Sequence, residues 1–323
     1  MRPLFFEWDA IPVLGDLDVP SYFLMLTIGF LVGSSVLVRE ARRGGGKVVD
    51  YLDLSLIVLV TGLIGSRLAH VFMEAPWIEL PVPAQSNEGW GHYFCRAAGE
   101  SHAVRRDWNL GRYYFLHPQM VAAVWNGGIV YYGGLMLGIP AGLWFCKRRC
   151  LAFWRVSDLC APAAAIGLAF GRLGCLLAGC CHGQGMPSGW EDWGIHLRSG
   201  LLPLNLRGVA LYPAQTAESF IAILIALVLW RTRTWKRFDG QIMLTFIALY
   251  SIWRPINEMF RADPQRGSHG MFTTSQWISF GLLAGSLALV PYLWKNRLVP
   301  KATPPADVPP PPQPPVGDSV PST

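Results

Sequence analysis

At 323 residues, 52% hydrophobic and 15% charged, the chain is far more apolar than a soluble domain, in which roughly a quarter of residues are charged. That composition excludes a soluble protein built around one ordinary core. The net charge of +6 calls for no nucleic-acid partner, because it comes largely from short basic connections suited to lie beside anionic lipid.

The apolar residues fall into long runs. The first, Tyr22 to Val38, is followed by Arg39, Arg42, Arg43 and Lys47 with no small-residue cleavage site before them, so it reads as a retained helix rather than a signal peptide. Leu52 to Phe72 is the second. The long 74–125 connection, rich in Trp, Tyr, Arg and Pro, separates it from the third, Gly128 to Cys146. Val156 to Ala178 follows, then a second long connection over 179–213. Ala214 to Trp230, Gly240 to Met259 and Ser275 to Trp294 complete the series. Each run is close to the ~17 to 25 residues that a helix needs to cross the hydrocarbon. None alternates as a barrel strand would, and a spanning helix satisfies its own backbone hydrogen bonds. The expected fold is therefore all-α and polytopic, with about seven transmembrane helices in one membrane domain over residues 1–300. The proline-rich remainder, 301–323, with Pro304 to Thr323 as its core, reads as an extended, disordered tail.

Orientation follows from the basic residues, because short cytoplasmic loops carry the excess. Four lie in 39–47, four in 147–155 (Lys147, Arg148, Arg149, Arg155), four in 231–237 (Arg231, Arg233, Lys236, Arg237) and three in 295–301. The opposite connections are far more dilute in Lys and Arg. The N-terminus is thus expected outside and the C-terminus in the cytoplasm, with the two long connections roofing the outer face.

Ionisable groups inside spans are costly, about 2.5 to 3.5 kcal/mol at mid-helix, and mark candidate sites. Arg67, Arg172 and Arg254 are such groups. With helical rise near ~1.5 Å per residue, Arg67, Tyr132, Arg172, Glu218, Glu258 and Arg261 all fall at one level below the outer headgroups. Gly62 with Gly65, and Gly167 with Gly171 and Gly174, share helix faces and are expected to pack closely against other helices, aiming the neighbouring arginines. Asp53 and Asp158 sit at inner helix ends, where capping is the expected role. Arginines in the outer leaflet, walled by apolar helices, suit a phosphodiester headgroup whose acyl chains stay in the bilayer, since the planar guanidinium can grip two phosphate oxygens.

The segments WNGGIVYYGG from Trp125, VSDLCAP from Val156, GLAFGRLG from Gly167, YPAQTAE from Tyr212 and RPINEMFRADP from Arg254 occur in an order that resembles the prolipoprotein diacylglyceryl transferase family. The resemblance covers most of residues 20–295. It implies an enzyme of the bacterial cytoplasmic (inner) membrane that moves a diacylglyceryl group from phosphatidylglycerol to the lipobox cysteine of a pre-lipoprotein, with no cofactor or metal. It also implies the site. Arg172 and Arg261 would hold the phosphate, Tyr132 would hydrogen-bond near the reacting centre, and Glu258 would complete the catalytic set. Tyr22, Arg67, Gly133, Gly134, Gln215, Glu218 and His182 would line the substrate. Tyr132 stands where the family has histidine, Cys175 where it has asparagine, and Tyr212 where it has the histidine of H-P-x-Q. A phenol with an ordinary pKa near ~10 is a poor base at neutral pH, which leaves His182 and Glu258 as candidate bases.

Cys175, Cys180 and Cys181, followed by His182, form the one cysteine-rich stretch. They offer soft ligand types, but the vicinal pair lacks C-x-x-C spacing. The expectation is that Cys180 and Cys181 support the outer loop, with a disulfide to Cys95 as one means. Leu177-Ala178-Gly179-Cys180 also spells a lipobox, here coincidental because it follows a spanning helix rather than an N-terminal signal. Two other readings stay open: a redox or metal-binding membrane protein using this stretch, and a non-catalytic family member that binds lipid or lipoprotein.

Overall fold

The computed structural model describes residues 4–6, 19–74, 114–115, 118–122, 130–197, 202, 204–261, 268–269 and 272–295. Most of the 74–125 connection, Cys95 and the 301–323 tail lie outside the described residues. Among the described residues, seven helices carry the fold: α1 (Ser21–Arg43), α2 (Val48–Ala69), α3 (Tyr131–Arg148), α4 (Phe153–Ala178), α5 (Ala214–Thr232), α6 (Gln241–Glu258) and α7 (Thr274–Lys295). A π-helical turn, His70–Glu74, extends α2.

The chain is a mostly helical, multi-pass membrane protein. Among the described residues, five helices are long and apolar enough to cross a membrane, namely α1, α2, α4, α5 and α7 with their short extensions. The other two, α3 and α6, have 18 residues each. That length is within the ~17 to 25 residues of a spanning helix; what sets them apart is lower apolarity, with Lys147 and Arg148 in α3 and Arg254, Asn257 and Glu258 in α6. Large apolar side chains point outward along the helices, among them Leu56, Val60, Phe220, Leu227, Leu282 and Leu287, a surface suited to lipid rather than water.

The helices pack in an order set by small residues. α1 lies along α4, α2 along α3, and α4 contacts both α5 and α6. The α2–α3 contact is the closest, as the shared face of Gly62 and Gly65 implied: a Cβ added at Gly65 would come within 2.3 Å of Gly133 O. Gly133 and Gly134 thus hold α3 against α2, since a Cβ on Gly134 would meet Ser66 Oγ at 2.6 Å. On α4 the expectation holds only at Gly174, where an added Cβ would come within 3.1 Å of the Tyr22 ring. Among the described residues, a Cβ added at Gly167 or Gly171 would meet nothing within 4 Å, though Gly167 O would lie 3.6 Å from a Cβ on Gly29. The close approach along α1–α4 uses instead Gly29, on Phe170, and Gly33, on Ala163.

One apolar cluster joins Leu37, Tyr51, Leu54, Phe145 and Val156 from α1 to α4. A second joins Ala161 and Ala165 of α4 to Ile225, Leu229 and Ile242 of α5 and α6. Asp158 is a cap, though of another helix than its own. Its carboxylate accepts Gly240 N at 2.8 Å, Ile242 N at 2.8 Å and Met243 N at 3.0 Å, closing the start of α6 from α4. Asp53 does not cap. It pairs with Arg149 at 3.3 Å, tying the starting end of α2 to the end of α3.

Candidate active site

The polar centre of the bundle is built on Glu218, one turn into α5 and 1% exposed in its side chain. Oε1 accepts the Tyr250 hydroxyl at 2.8 Å and faces Arg172 Nη2 at 3.1 Å. Oε2 accepts Asn257 Nδ2 at 2.9 Å, with Arg261 Nη1 at 3.8 Å and Arg254 Nη1 at 3.9 Å. Arg254 Nη2 also binds Glu258 at 2.7 Å. Tyr250, Arg254, Asn257 and Arg261 follow one another at intervals of four, three and four, so α6 and the turn after it deliver them on one face.

Three guanidiniums and two carboxylates therefore meet here among the described residues, leaving positive charge in excess. Charges taken from water are costly unless they are paired and hydrogen-bonded. Here the pairing is incomplete. Among the described residues, Gln215 Oε1 and Arg254 Nη1 are buried without a hydrogen-bond partner. A buried cationic cluster with an unspent donor at Arg254 Nη1 suits an anionic ligand, whereas the Gln215 Oε1 acceptor calls for a donor.

The segment after α4 locks this arrangement. Gly179 ends the helix in the left-handed region, φ 72°, and Gln215 Nε2 of α5 donates to Cys180 O at 2.9 Å. Gln184 N donates to Phe260 O at 2.9 Å and its Nε2 to Arg261 O at 3.0 Å, while Gly183 pairs with Arg261 as a β-bridge. The backbone of Arg261 is thereby fixed to the end of the helix that carries Arg172. Tyr212 packs on Phe260, ring centroids 5.2 Å apart, on the same seam.

Family comparison places this geometry. The model of prolipoprotein diacylglyceryl transferases matches residues 9–292. The chain belongs to this family. Similar proteins include the phosphatidylglycerol–prolipoprotein diacylglyceryl transferase of Geobacter sulfurreducens, 28% identical over 92% of this chain and 97% of that protein. Those of Desulfotalea psychrophila (27%, over 90% and 94%) and Clostridium tetani (24%, over 88% and 95%) have the same name.

Of the residues that the sequence singled out, Arg172, Arg261, Glu218 and Glu258 converge, and Gln215 anchors the adjoining segment. Tyr22 packs on α4 at Gly174. Arg67 is 4% exposed and binds elsewhere: its Nε donates to Val121 O at 2.9 Å and its guanidinium lies 5.1 Å from the Tyr114 ring centre. Tyr132 is half exposed, edge-on to Tyr131. His182 is buried with Nδ1 3.2 Å from Gly183 O. Sequence reasoning missed Tyr250 and Asn257, although their spacing from Arg254 and Arg261 on a single helix face was the available signal.

Beside the cluster, the sulfurs of Cys175, Cys180 and Cys181 lie within 4.8 Å of one another. Hydrogen bonds from Cys175 and Cys180 hold the Cys181 thiol well below its ordinary range, with Arg261 and Arg172 acting in the same direction.

Proposed function

We propose that the chain transfers a diacylglyceryl group from phosphatidylglycerol to the lipobox cysteine of a pre-lipoprotein. The observation that carries the reading is the cationic cluster around Glu218, in a chain that belongs to the family. The headgroup phosphate would take the site offered by Arg172 and Arg261, with Glu218 and Glu258 holding the guanidiniums in position. The cysteine thiolate attacks the glycerol carbon, its S–C bond forming as the C–O bond to phosphate breaks, and glycerol phosphate departs with the added negative charge. Positioning and electrostatic stabilisation of that leaving group are the contributions expected of the protein. Tyr132 is proposed to donate a hydrogen bond near the reacting centre once lipid is bound, with Tyr22, Arg67, Gly133, Gly134, Gln215 and His182 shaping the site. No metal is needed for this step.

The reading further places seven spans in the bacterial inner membrane, N-terminus outside and C-terminus in the cytoplasm, so that the cluster meets lipid from the outer leaflet. Its support is the asymmetry of Lys and Arg between connections. Labelling of single cysteines introduced at positions 45 and 188 of a cysteine-free variant should reach the second and not the first from outside the cell.

The test of function uses purified full-length protein, phosphatidylglycerol vesicles and a lipobox peptide. Thioether-linked diacylglyceryl peptide and glycerol phosphate should form in equal amounts. Binding of phosphatidylglycerol without product would instead support a non-catalytic family member. Rescue of a cell depleted of its own transferase is the matching experiment in vivo.

A further inference from the structure

The transfer reaction has no use for the three cysteines beside it, and their geometry is specific. Cys175 sits in the last turn of α4, and Cys180 and Cys181 follow the helix-ending Gly179. The chain turns back at once: Cys180 N donates to Cys175 O at 3.1 Å, and Cys181 takes a left-handed φ of 59°. The result is three sulfurs within 4.8 Å of one another, with the Cys180 thiol also 3.7 Å from Cys175 O. A metal–thiolate bond of about 2.3 Å places the sulfurs of a trigonal site about 4 Å apart, inside the 4.8 Å limit within which these sulfurs lie.

We infer that Cys175, Cys180 and Cys181 form a three-thiolate site for a soft d10 metal ion, with Cu(I) as the preferred occupant. Thiolates select Cu(I) and Zn(II) over harder ions. The ligand number favours Cu(I): Zn(II) sites are almost always four-coordinate, and among the described residues these three cysteines are joined by no fourth His, Asp, Glu or Cys ligand. His182, next in sequence, engages Gly183 O instead. The charge also fits. A Cu(I) trithiolate carries two net negative charges, and Arg172 stands three residues before Cys175 on the same helix, one turn away. The Zn(II) counterpart would carry one. Binding displaces the thiol protons and involves no electron transfer. The inference stands apart from the transferase reading, because metal occupancy is read without turnover.

The test is anaerobic titration of the purified full-length protein with Cu(I) in the presence of a chromogenic Cu(I) chelator. One ion per chain should bind, with thiolate-to-copper absorption in the near ultraviolet and X-ray absorption showing three sulfurs at about 2.3 Å. Replacing Cys175, Cys180 and Cys181 together by Ser should abolish binding. Replacing Cys95, Cys146, Cys150 and Cys160 by Ser should leave it intact. If the triple variant is not recovered folded, alkylation of the parent decides the matter: Cu(I) should protect Cys175, Cys180 and Cys181 and leave Cys150 reactive. Undiminished binding to the triple variant, a two-sulfur site, equal alkylation with and without Cu(I), preference for Zn(II), or a disulfide within the trio after purification without reductant would each overturn the inference.

Discussion

Two buried carboxylates on neighbouring helices have opposite surroundings. Asp158, on α4, is satisfied mainly by backbone: three N–H groups at the start of α6, with Lys236 Nζ at 2.9 Å. Lys236 in turn binds Asp239 at 2.6 Å, so the local charge is balanced toward the anion. Among the described residues, Glu218, on α5, is held only by side chains, and cations outnumber anions around it. A carboxylate satisfied by backbone fixes the relation of two helices. One ringed by guanidiniums organises positive charge for something else to use. The same residue chemistry thus serves architecture at one end of the bundle and a candidate site at the other.

The largest effect should come from Glu218→Gln. It leaves several buried guanidiniums without their shared anion, a loss of about 3–5 kcal/mol when one partner of a buried ion pair is removed. Both thermal stability and transfer should fall; a variant that melts and transfers like the parent would remove Glu218 from its organising role. Arg172→Lys comes next. It keeps the charge but loses the two-pronged grip, at a cost of ~2–4 kcal/mol in the transition state, or roughly thirty- to thousandfold in rate. Arg172→Gln should be worse. Near-parental transfer by correctly inserted Arg172→Lys would place the phosphate elsewhere.

Asp158→Asn sharpens the contrast from the other end. Loss of charge-assisted bonds to the α6 N-terminus should lower stability by about 1.5–3 kcal/mol, seen as an earlier thermal transition, with transfer per folded molecule unchanged. A selective loss of turnover would mean that the two ends are not separate in function. Arg67→Lys should do less, retaining measurable transfer within about tenfold of the parent, since Arg67 binds the 114–122 segment; a loss as deep as that of Arg172→Lys would bring Arg67 into the phosphate site. Deletion of Pro304 to Thr323 should change nothing measurable in transfer or insertion, because the tail is polar and proline-rich.

The apolar runs announced the seven long helices among the described residues, because a stretch that must satisfy its own backbone in lipid has little choice but α. Arg172, Arg254 and their partner Glu218 were also legible, since buried charge in a span is rare enough to stand out, and Arg261 was marked by its match to the family motif. Gly62 and Gly65 likewise pointed to their face, and α3 meets it with Gly133. Local sequence could not say which helix a face would meet: the close approach to α1 runs through Gly29, against Phe170 and Gly167 O, and Gly33, against Ala163. Nor could it tell that Asp158 would cap α6 across the bundle or that Arg67 would bind Val121 and Tyr114. The convergence of three sulfurs was hidden for the same reason. It depends on a left-handed turn after Gly179 that reverses the chain, and distances across a reversal are set by tertiary packing, not by spacing along the sequence.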